Sequence, residues 1–309
     1  MLLLIAAAAS AGTTRGSTVH ANRRARSKPI RAAFYYPWFP GAWGHITNPL
    51  TKYTPSLGFY SSWRRKLIRR HIRAMEYAGL NAGISSWWGR GGQTDKVFKR
   101  ILKVTAATSK TFHWSVYYED EAYGDPSVAQ IRSDLHYLKS RYWNQPRYLH
   151  IRKRPVVFVF GDPNDRCPMV ARWHAANDVG AYVVLKVFPG YQHCPFQPSG
   201  WHQYAPAAAG GERERRHSYT ISPGFWKSDE IAPRLVRNLA RWRADIRAMR
   251  RSHAQFELVT TFNEWGEGTA VESAWQWRSP SHYGLYLDAL HDVLAPKHRS
   301  AGGNWRGPN

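Results

Sequence analysis

The chain has 309 residues, and its 44 Lys and Arg against 21 Asp and Glu give a formal net charge of +23. Its hydrophobic fraction of 43% supplies a sizeable core, and its length suits one large domain or two small ones; a single α/β barrel takes about 250 residues. No zinc-finger or RNA-binding signature and no consolidated basic tail accompanies the charge, so nucleic acid is not the expected partner.

The first sixteen residues, "MLLLIAAAASAGTTRG", are a short apolar run followed by small residues. They resemble a secretory signal without its positive first segment, and the run is too short for a membrane span. Residues 13–29 form a basic leader. The expected organisation is therefore a signal-like segment and leader over 1–29, one barrel domain over 30–296, and a disordered tail over 297–309. The expected location is secreted or cell-envelope, with no integral membrane segment after leader removal and a monomeric state.

From Pro29 onward, short runs rich in Val, Ile, Phe, Tyr and Thr alternate with helical patterns. The predicted strands cover 31–38, 80–88, 111–119, 154–162, 181–189, a weaker 200–205, 217–224 and 256–264. Several are apolar almost throughout, as strands buried on both faces are. The predicted helices cover 61–79, 94–109, 125–143, 167–180, 228–252 and 281–295. Thr94 is the expected N-cap of the second. In the fifth, Leu235, Leu239, Trp242, Ile246 and Met249 recur at helical spacing while arginines fill the other face. That basic face reads either as a solvated surface or as an attraction for acidic polymers. About eight strand–helix units in one domain predict an α/β fold, a single (β/α)8 TIM-type barrel, with the sixth unit near 200–216 the weakest.

Barrel active sites lie at the C-terminal ends of the strands. Those ends here hold Tyr35, Tyr36 and Trp38, then Trp87 and Trp88, then Tyr118, Glu119 and Asp120. Asp162 and Phe225 follow, and last come Asn263, Glu264 and Glu267. The chain is rich in Trp (15) and Tyr (17), which either fill the core or stack on sugars at such a face. Cys167 and Cys194 follow strands of consecutive units and can form one disulfide across adjacent loops, or stand as unrelated thiols. The sequence lacks CxxC or HExxH spacing, phosphate loop and dinucleotide fingerprint, so neither metal nor cofactor is expected.

The stretch "TTFNEWGEGTAVE" places Glu264 and Glu267 three apart at the end of the last strand. Glycoside hydrolysis needs two carboxyl groups, one to donate a proton and one to act as base or nucleophile. Neighbouring carboxylates push their pKa values apart, which keeps one of them protonated. Glu119, in "YYEDEAYG", either binds sugar hydroxyls or belongs to a solvated acidic loop.

This stretch resembles the NEW-x-EGT-x-x-E signature of glycoside hydrolase family 99, the endo-α-mannosidases. In order along roughly residues 30–292, "AAFYYPWF", "GISSWWG", "YYED", "RPVVFVFGD" and "SPGF" are similar to further segments of that family. The resemblance implies metal-independent, retaining cleavage within α-mannoside chains. It implies that Glu264 is a base assisting the substrate's own 2-hydroxyl and Glu267 the general acid/base. It also implies that Tyr36, Trp88, Glu119, Phe225 and Asn263 contact sugar. The chain departs from the family at Gly266, where His is usual, and at Phe225, where Tyr is usual. Near Ala232 and at Phe160 or Gly161 it lacks further polar groups. A related group encoded with bacterial O-antigen synthesis shares NEW-x-EG with small residues at the position of Gly266. The expected partner is an oligo- or polysaccharide. The alternative is a non-catalytic glycan-binding or polysaccharide-assembly protein on the same barrel, possibly one for acidic polysaccharides.

Overall fold

The computed structural model describes residues 28–44 and 50–295. The tail expected over 297–309 lies outside the described residues, as does the leader expected over 1–29 except for positions 28 and 29. The strands are β1 (Ile30–Tyr35), β2 (Ala82–Trp87), β3 (His113–Tyr118), β4 (His150–Ile151), β5 (Arg154–Val159), β6 (Tyr182–Lys186), β7 (Gly200–His202), β8 (Glu212–Glu214), β9 (Ser218–Ile221) and β10 (Phe256–Val259). Eight of them run parallel in the order β7-β6-β5-β3-β2-β1-β10-β9. The short strands β4 and β8 pair antiparallel to β5 and β9. Around them lie α1 (Arg65–Tyr77), α2 (Gln93–Thr108), α3 (Glu121–Gly124), α4 (Val128–Leu138), α5 (Arg166–Ala176), α6 (Leu239–Ser252) and α7 (Leu285–Leu294). The result is a nearly closed α/β barrel. Side chains reach the segment after β7 from the far side of the gap: Thr220 Oγ1 on β9 donates to the Gln203 carbonyl at 2.7 Å, and the Thr260 hydroxyl, just after β10, donates to the Tyr204 carbonyl.

The period of two along each strand sorts the apolar residues into two cores. Ala32, Phe34, Ile84, Tyr117, Val156, Phe158, Val184 and Leu258 fill the barrel interior. Their neighbours Ala33, Tyr35, Trp114, Val157, Leu185 and Val259 pack outward against the helices. Between barrel and helices, α1 buries Leu67, Ile68, Ile72 and Met75 and turns its arginines outward. Each such buried side chain contributes about 2 kcal/mol. Gly83 is required by packing, because a β-carbon there would lie 2.2 Å from the Trp114 ring. Among the described residues no helix is long and apolar enough to cross a membrane.

Three local expectations differ from the structure. The sixth unit has no helix; its connection runs through the hairpin strand β8 instead. The helix expected over 228–252 is α6 alone, capped by Asn238 Oδ1, which accepts from Arg241 N at 2.8 Å. Upstream, Phe225 and Leu235 exchange two backbone hydrogen bonds, Pro233 lacks an N–H, and Ile231 is 98% exposed with nothing to pack against. The tether at Arg237 completes this departure: its guanidinium donates to the carbonyls of Gly268 and Ala270 at 2.8 and 2.6 Å and lies 4.0 Å from the Trp277 ring centre. Thr94 sits inside α2 rather than capping it, and its hydroxyl accepts from Trp88 N at 3.0 Å.

A buried polar chain ties the last barrel turn to α1. Tyr60 donates to Glu272 Oε2 at 2.6 Å, and Glu272 Oε1 lies 3.0 Å from His71 Nε2. His71 Nδ1 lies 3.1 Å from the Tyr35 hydroxyl. The Tyr60 oxygen also accepts from Trp265 Nε1 at 3.1 Å and Asn263 Nδ2 at 3.4 Å. Across the barrel, Cys167 at the start of α5 and Cys194 after β6 are joined in a disulfide, with Cα atoms 5.3 Å apart at a sequence separation of 27.

Two stability predictions rest on these links. Tyr60→Phe strands the Trp265 N–H and one Glu272 oxygen in a dry interior, so urea denaturation should show a loss of about 1–3 kcal/mol. Replacing both Cys167 and Cys194 by Ser frees a loop closed over a sequence separation of 27 in the unfolded chain. Loop-closure entropy sets that cost at about 3 kcal/mol, read as a lower Tm; an unchanged Tm would refute it.

Candidate active site

The site is built on the turn that follows β10. Phe262 N donates to Phe34 O at 2.8 Å, so the chain still follows β1 beyond the last strand pair. Asn263 then clamps β1: Oδ1 accepts from Tyr36 N at 2.8 Å and Nδ2 donates to Tyr36 O at 3.0 Å. Glu264 N donates to Thr261 Oγ1 at 2.8 Å, and the turn folds back so that Glu267 N donates to Glu264 Oε2 at 3.0 Å. The segment after Phe225 covers this turn, with Trp226 N donating to Glu267 O and Ser228 N to Gly266 O, both at 2.9 Å. Gly268 adopts φ 62°, and a β-carbon there would meet the Trp226 carbonyl at 2.6 Å. Gly266 is tight for another reason, because a β-carbon would stand 3.2 Å from Glu264 Oε1 and 3.0 Å from Leu50.

Inward-pointing residues supply the rest of the barrel mouth. Ser86, Glu119, Lys186 and Tyr204 continue the same alternation as the interior core. Tyr36 and Tyr204 share a hydrogen bond of 2.7 Å, and the Tyr204 hydroxyl donates to Glu267 Oε2 at 3.3 Å. Beneath them Tyr117 pairs with His202 Nε2 at 3.1 Å, and burial with the nearby Lys186 charge holds His202 down to about 3. This histidine is therefore neutral at physiological pH.

Three carboxyl groups share a dry environment. Burial pushes Glu264 up to about 8, and repulsion from Glu267 adds to the rise; the N–H groups of Glu267 and Gly266 oppose it. Burial also raises Glu267, against the Tyr204 hydroxyl and the charges of Lys186, Lys227 and Arg234. Burial takes Glu119 up to about 8, opposed by the Ser86 hydroxyl and Lys186 and supported by Glu267. Glu119 Oε1 has no hydrogen-bond partner among the described residues. Lys186 is itself held down to about 8 by burial, against the attraction of Glu267 and Glu119.

Aromatic rings form the rim. Trp38 Nε1 and Trp88 Nε1 both donate to Ser86 Oγ, at 3.0 and 3.1 Å. A groove of ≈ 460 Å³ runs between them, walled by Trp38, Ala42, Trp88 and Gln93. Its walls stop short of the carboxylates, and Tyr36, packed 4.6 Å from Trp38, joins the two regions. Trp88 is 38% exposed and stacks near Tyr123 at 5.1 Å, which suits an apolar sugar face.

The structure thus gathers Tyr36, Glu119, Glu264 and Glu267, with Trp88 on the rim. Phe225 is 5% exposed, with the Arg234 guanidinium 5.1 Å from its ring centre. Asn263 has no exposed surface, and its amide bonds Tyr36 and Tyr60, so it positions the turn. Sequence reasoning missed Tyr204, Ser86 and Lys186. Lys186 was findable, since it is the charged residue closing the apolar run "AYVVLK" at a strand's C-terminal end.

Comparison with known proteins gives the family and bears out the fold. The family model of glycosyl hydrolase family 99 matches residues 18–176, just over half of the chain. The mouse glycoprotein endo-α-1,2-mannosidase is 20% identical over 330 aligned positions, spanning 83% of this chain and 70% of its own. The solved endo-α-mannosidase of Bacteroides thetaiotaomicron shares the fold with a TM-score of 0.65 at 18% identity, over 86% of this chain and 95% of that one. A solved glycoside hydrolase-like protein does so with a TM-score of 0.63 at 16% identity, over 86% and 94%. The chain belongs to glycosyl hydrolase family 99 and is a glycoside hydrolase, endo-α-mannosidase-like in kind.

Proposed function

We propose that the protein cleaves within α-linked mannoside chains with retention of anomeric configuration, using Glu264 as base and Glu267 as acid/base. The observation that carries this reading is the single turn bearing both carboxyl groups, in which Glu267 N–H is bonded to Glu264 Oε2. Two backbone N–H groups aimed at Glu264 favour its ionised form, but burial outweighs them and holds it up to about 8, so the base form grows as pH rises toward that value. With Oε2 so engaged, Oε1 is the oxygen left to accept a proton from the sugar's own 2-hydroxyl. The deprotonated sugar 2-oxygen then attacks the neighbouring anomeric carbon and expels the leaving group. Glu267 is the less enclosed of the two, facing the rim cations Lys227 and Arg234, where the departing glycan would leave. Its proton goes to the departing oxygen, and its carboxylate then activates the water that opens the strained ring, which restores the original configuration. Tyr204, donating to Glu267, and Tyr36 behind it hold that carboxyl in place. The disulfide and the apolar first residues support a secreted or cell-envelope location.

Glu267→Gln and Glu264→Gln should each lower kcat on an α-mannan oligosaccharide by about 10²–10⁴-fold with glycan binding kept. Full activity in either variant sinks the assignment, as does NMR showing an inverted product anomer. Binding by the unmodified protein across α-mannosides without hydrolysis would instead favour a glycan-binding role.

The buried acids also set a pH dependence of stability. Glu119 rises from about 4.5 in the unfolded chain to about 8 when folded, so the folded protein binds the extra proton between those values. Stability therefore falls as pH rises through that window. Glu119→Gln removes this loss, and its Tm advantage over the unmodified protein should grow from pH 4.5 and level off above pH 8. A Tm difference that stays flat across the window would contradict the buried-acid account.

A further inference from the structure

Lys186 has no role in the reaction as derived above. It closes β6 on the inward-facing side of the strand, one residue pair above Val184, so its stem rises through the barrel mouth. The stem and ammonium lie against rings: Nζ is 4.0 Å from the Phe160 ring centre, 4.9 Å from that of Phe188 and 6.0 Å from that of Tyr204. Among the described residues this ammonium enters no ion pair and donates no hydrogen bond. An ammonium with three donors and no protein acceptor is open to an acceptor carried by a ligand. Its charged neighbours are Glu267, Glu119, Asp162 and Asp165, with Glu212 and His202 also near. Burial holds Glu119 up to about 8, so near neutral pH this acid compensates the ammonium in part only. On the open side, Lys227 and Arg234 also lie near Glu267, each already paired with an acid, Asp229 and Glu230 respectively.

We propose that Lys186 is a specificity-determining residue that reads an anionic substituent, a uronic acid carboxylate, on the glycan held at the Glu264–Glu267 turn. The proposal rests on the glycosidase reading above and names the substrate class within it. A carboxylate there would supply the acceptor that the ammonium lacks. The rings of Phe160 and Phe188 would exclude water from the pair and so strengthen it. A neutral hexose offers hydroxyls alone at this position and brings no charged acceptor to the ammonium. The phenyl ring at Phe160 offers a neutral sugar no polar contact, which fits a site that selects by charge.

The test uses uronic-acid-substituted α-mannan oligosaccharides and the same material after chemical reduction of its carboxyl groups to alcohols, which removes the charge and leaves the linkages. The expected result is a kcat/KM at least about tenfold higher for the acidic form at low salt, since tenfold corresponds to one ordinary charge-assisted contact. Added salt should erode that preference to the extent that the contact is exposed. Lys186→Met should bring the ratio of the two kcat/KM values toward one, and Lys186→Arg should keep it above one. Calorimetric binding of both oligosaccharides reads the same preference whether or not cleavage occurs. Failure of hydrolysis thus counts against the glycosidase reading, while the binding ratio alone still decides the role of Lys186. Equal affinity for both forms in the unmodified protein overturns the proposal. So does a preference that survives in Lys186→Met. An equal fall on both substrates with a shifted pH profile also overturns it, because the lysine would then serve Glu119 and Glu267 rather than the substrate. Thermal unfolding of each variant confirms that a folded protein is being compared, and Lys186→Arg keeps the test open should Lys186→Met fail to fold.

Discussion

The clamp between Asn263 and the Tyr36 backbone is the interaction on which the rest of the site depends. β10 ends at Val259, yet the chain must continue across the barrel mouth without losing its hold on β1. An amide side chain replaces the missing ladder by offering one acceptor and one donor to the same residue. It fixes the start of the turn, and the turn places Glu264 and Glu267. The second Nδ2 proton reaches toward Tyr60, which links this corner to Glu272, His71 and α1. Catalytic geometry and barrel closure therefore share one set of hydrogen bonds. Substitutions along that chain should affect stability and turnover together.

Electrostatics at the mouth run against stability. Three carboxyl groups and one ammonium are held where water is scarce, and burial is the largest cause of every shift among them. A folded protein gains nothing from this arrangement when empty, and Glu119 Oε1 has no partner at all among the described residues. Such a concentration of unsatisfied charge is expected where a ligand completes the set. The contrast with the other acidic cluster is instructive. Glu121, Asp125 and Asp165 also lie close together, but Arg172 already pairs with Glu121 and Asp125, so that cluster is satisfied within the protein.

The strand pattern was the most legible part of the chain. Runs such as "RPVVFVFGD" carry β-branched and aromatic residues on both faces, and little besides a buried parallel strand fits them. The helix expected over 228–252 failed in its first half for a tertiary reason. Leu235 has helical spacing to Leu239, but it pairs with Phe225 as an extended residue, and Arg237 is drawn to carbonyls on the last turn. Local periodicity carries no information about those partners. Asn263 illustrates the same gap within the site. Its place beside Glu264 is visible in the sequence, but its bonds to the Tyr36 backbone and Tyr60 appear only in three dimensions.

Residue order alone determined the barrel class, the strand ends that form the mouth and the pair Glu264 and Glu267 within one turn. These follow from alternation, run length and spacing, which are local properties of the chain. Tertiary structure decided the remainder: which acids lose their water, that Tyr204 reaches Glu267 from the weakest unit, and that the Lys186 ammonium lies among rings without a partner. Those outcomes depend on desolvation and on distances between residues far apart in the chain. Neither quantity exists until the barrel has nearly closed.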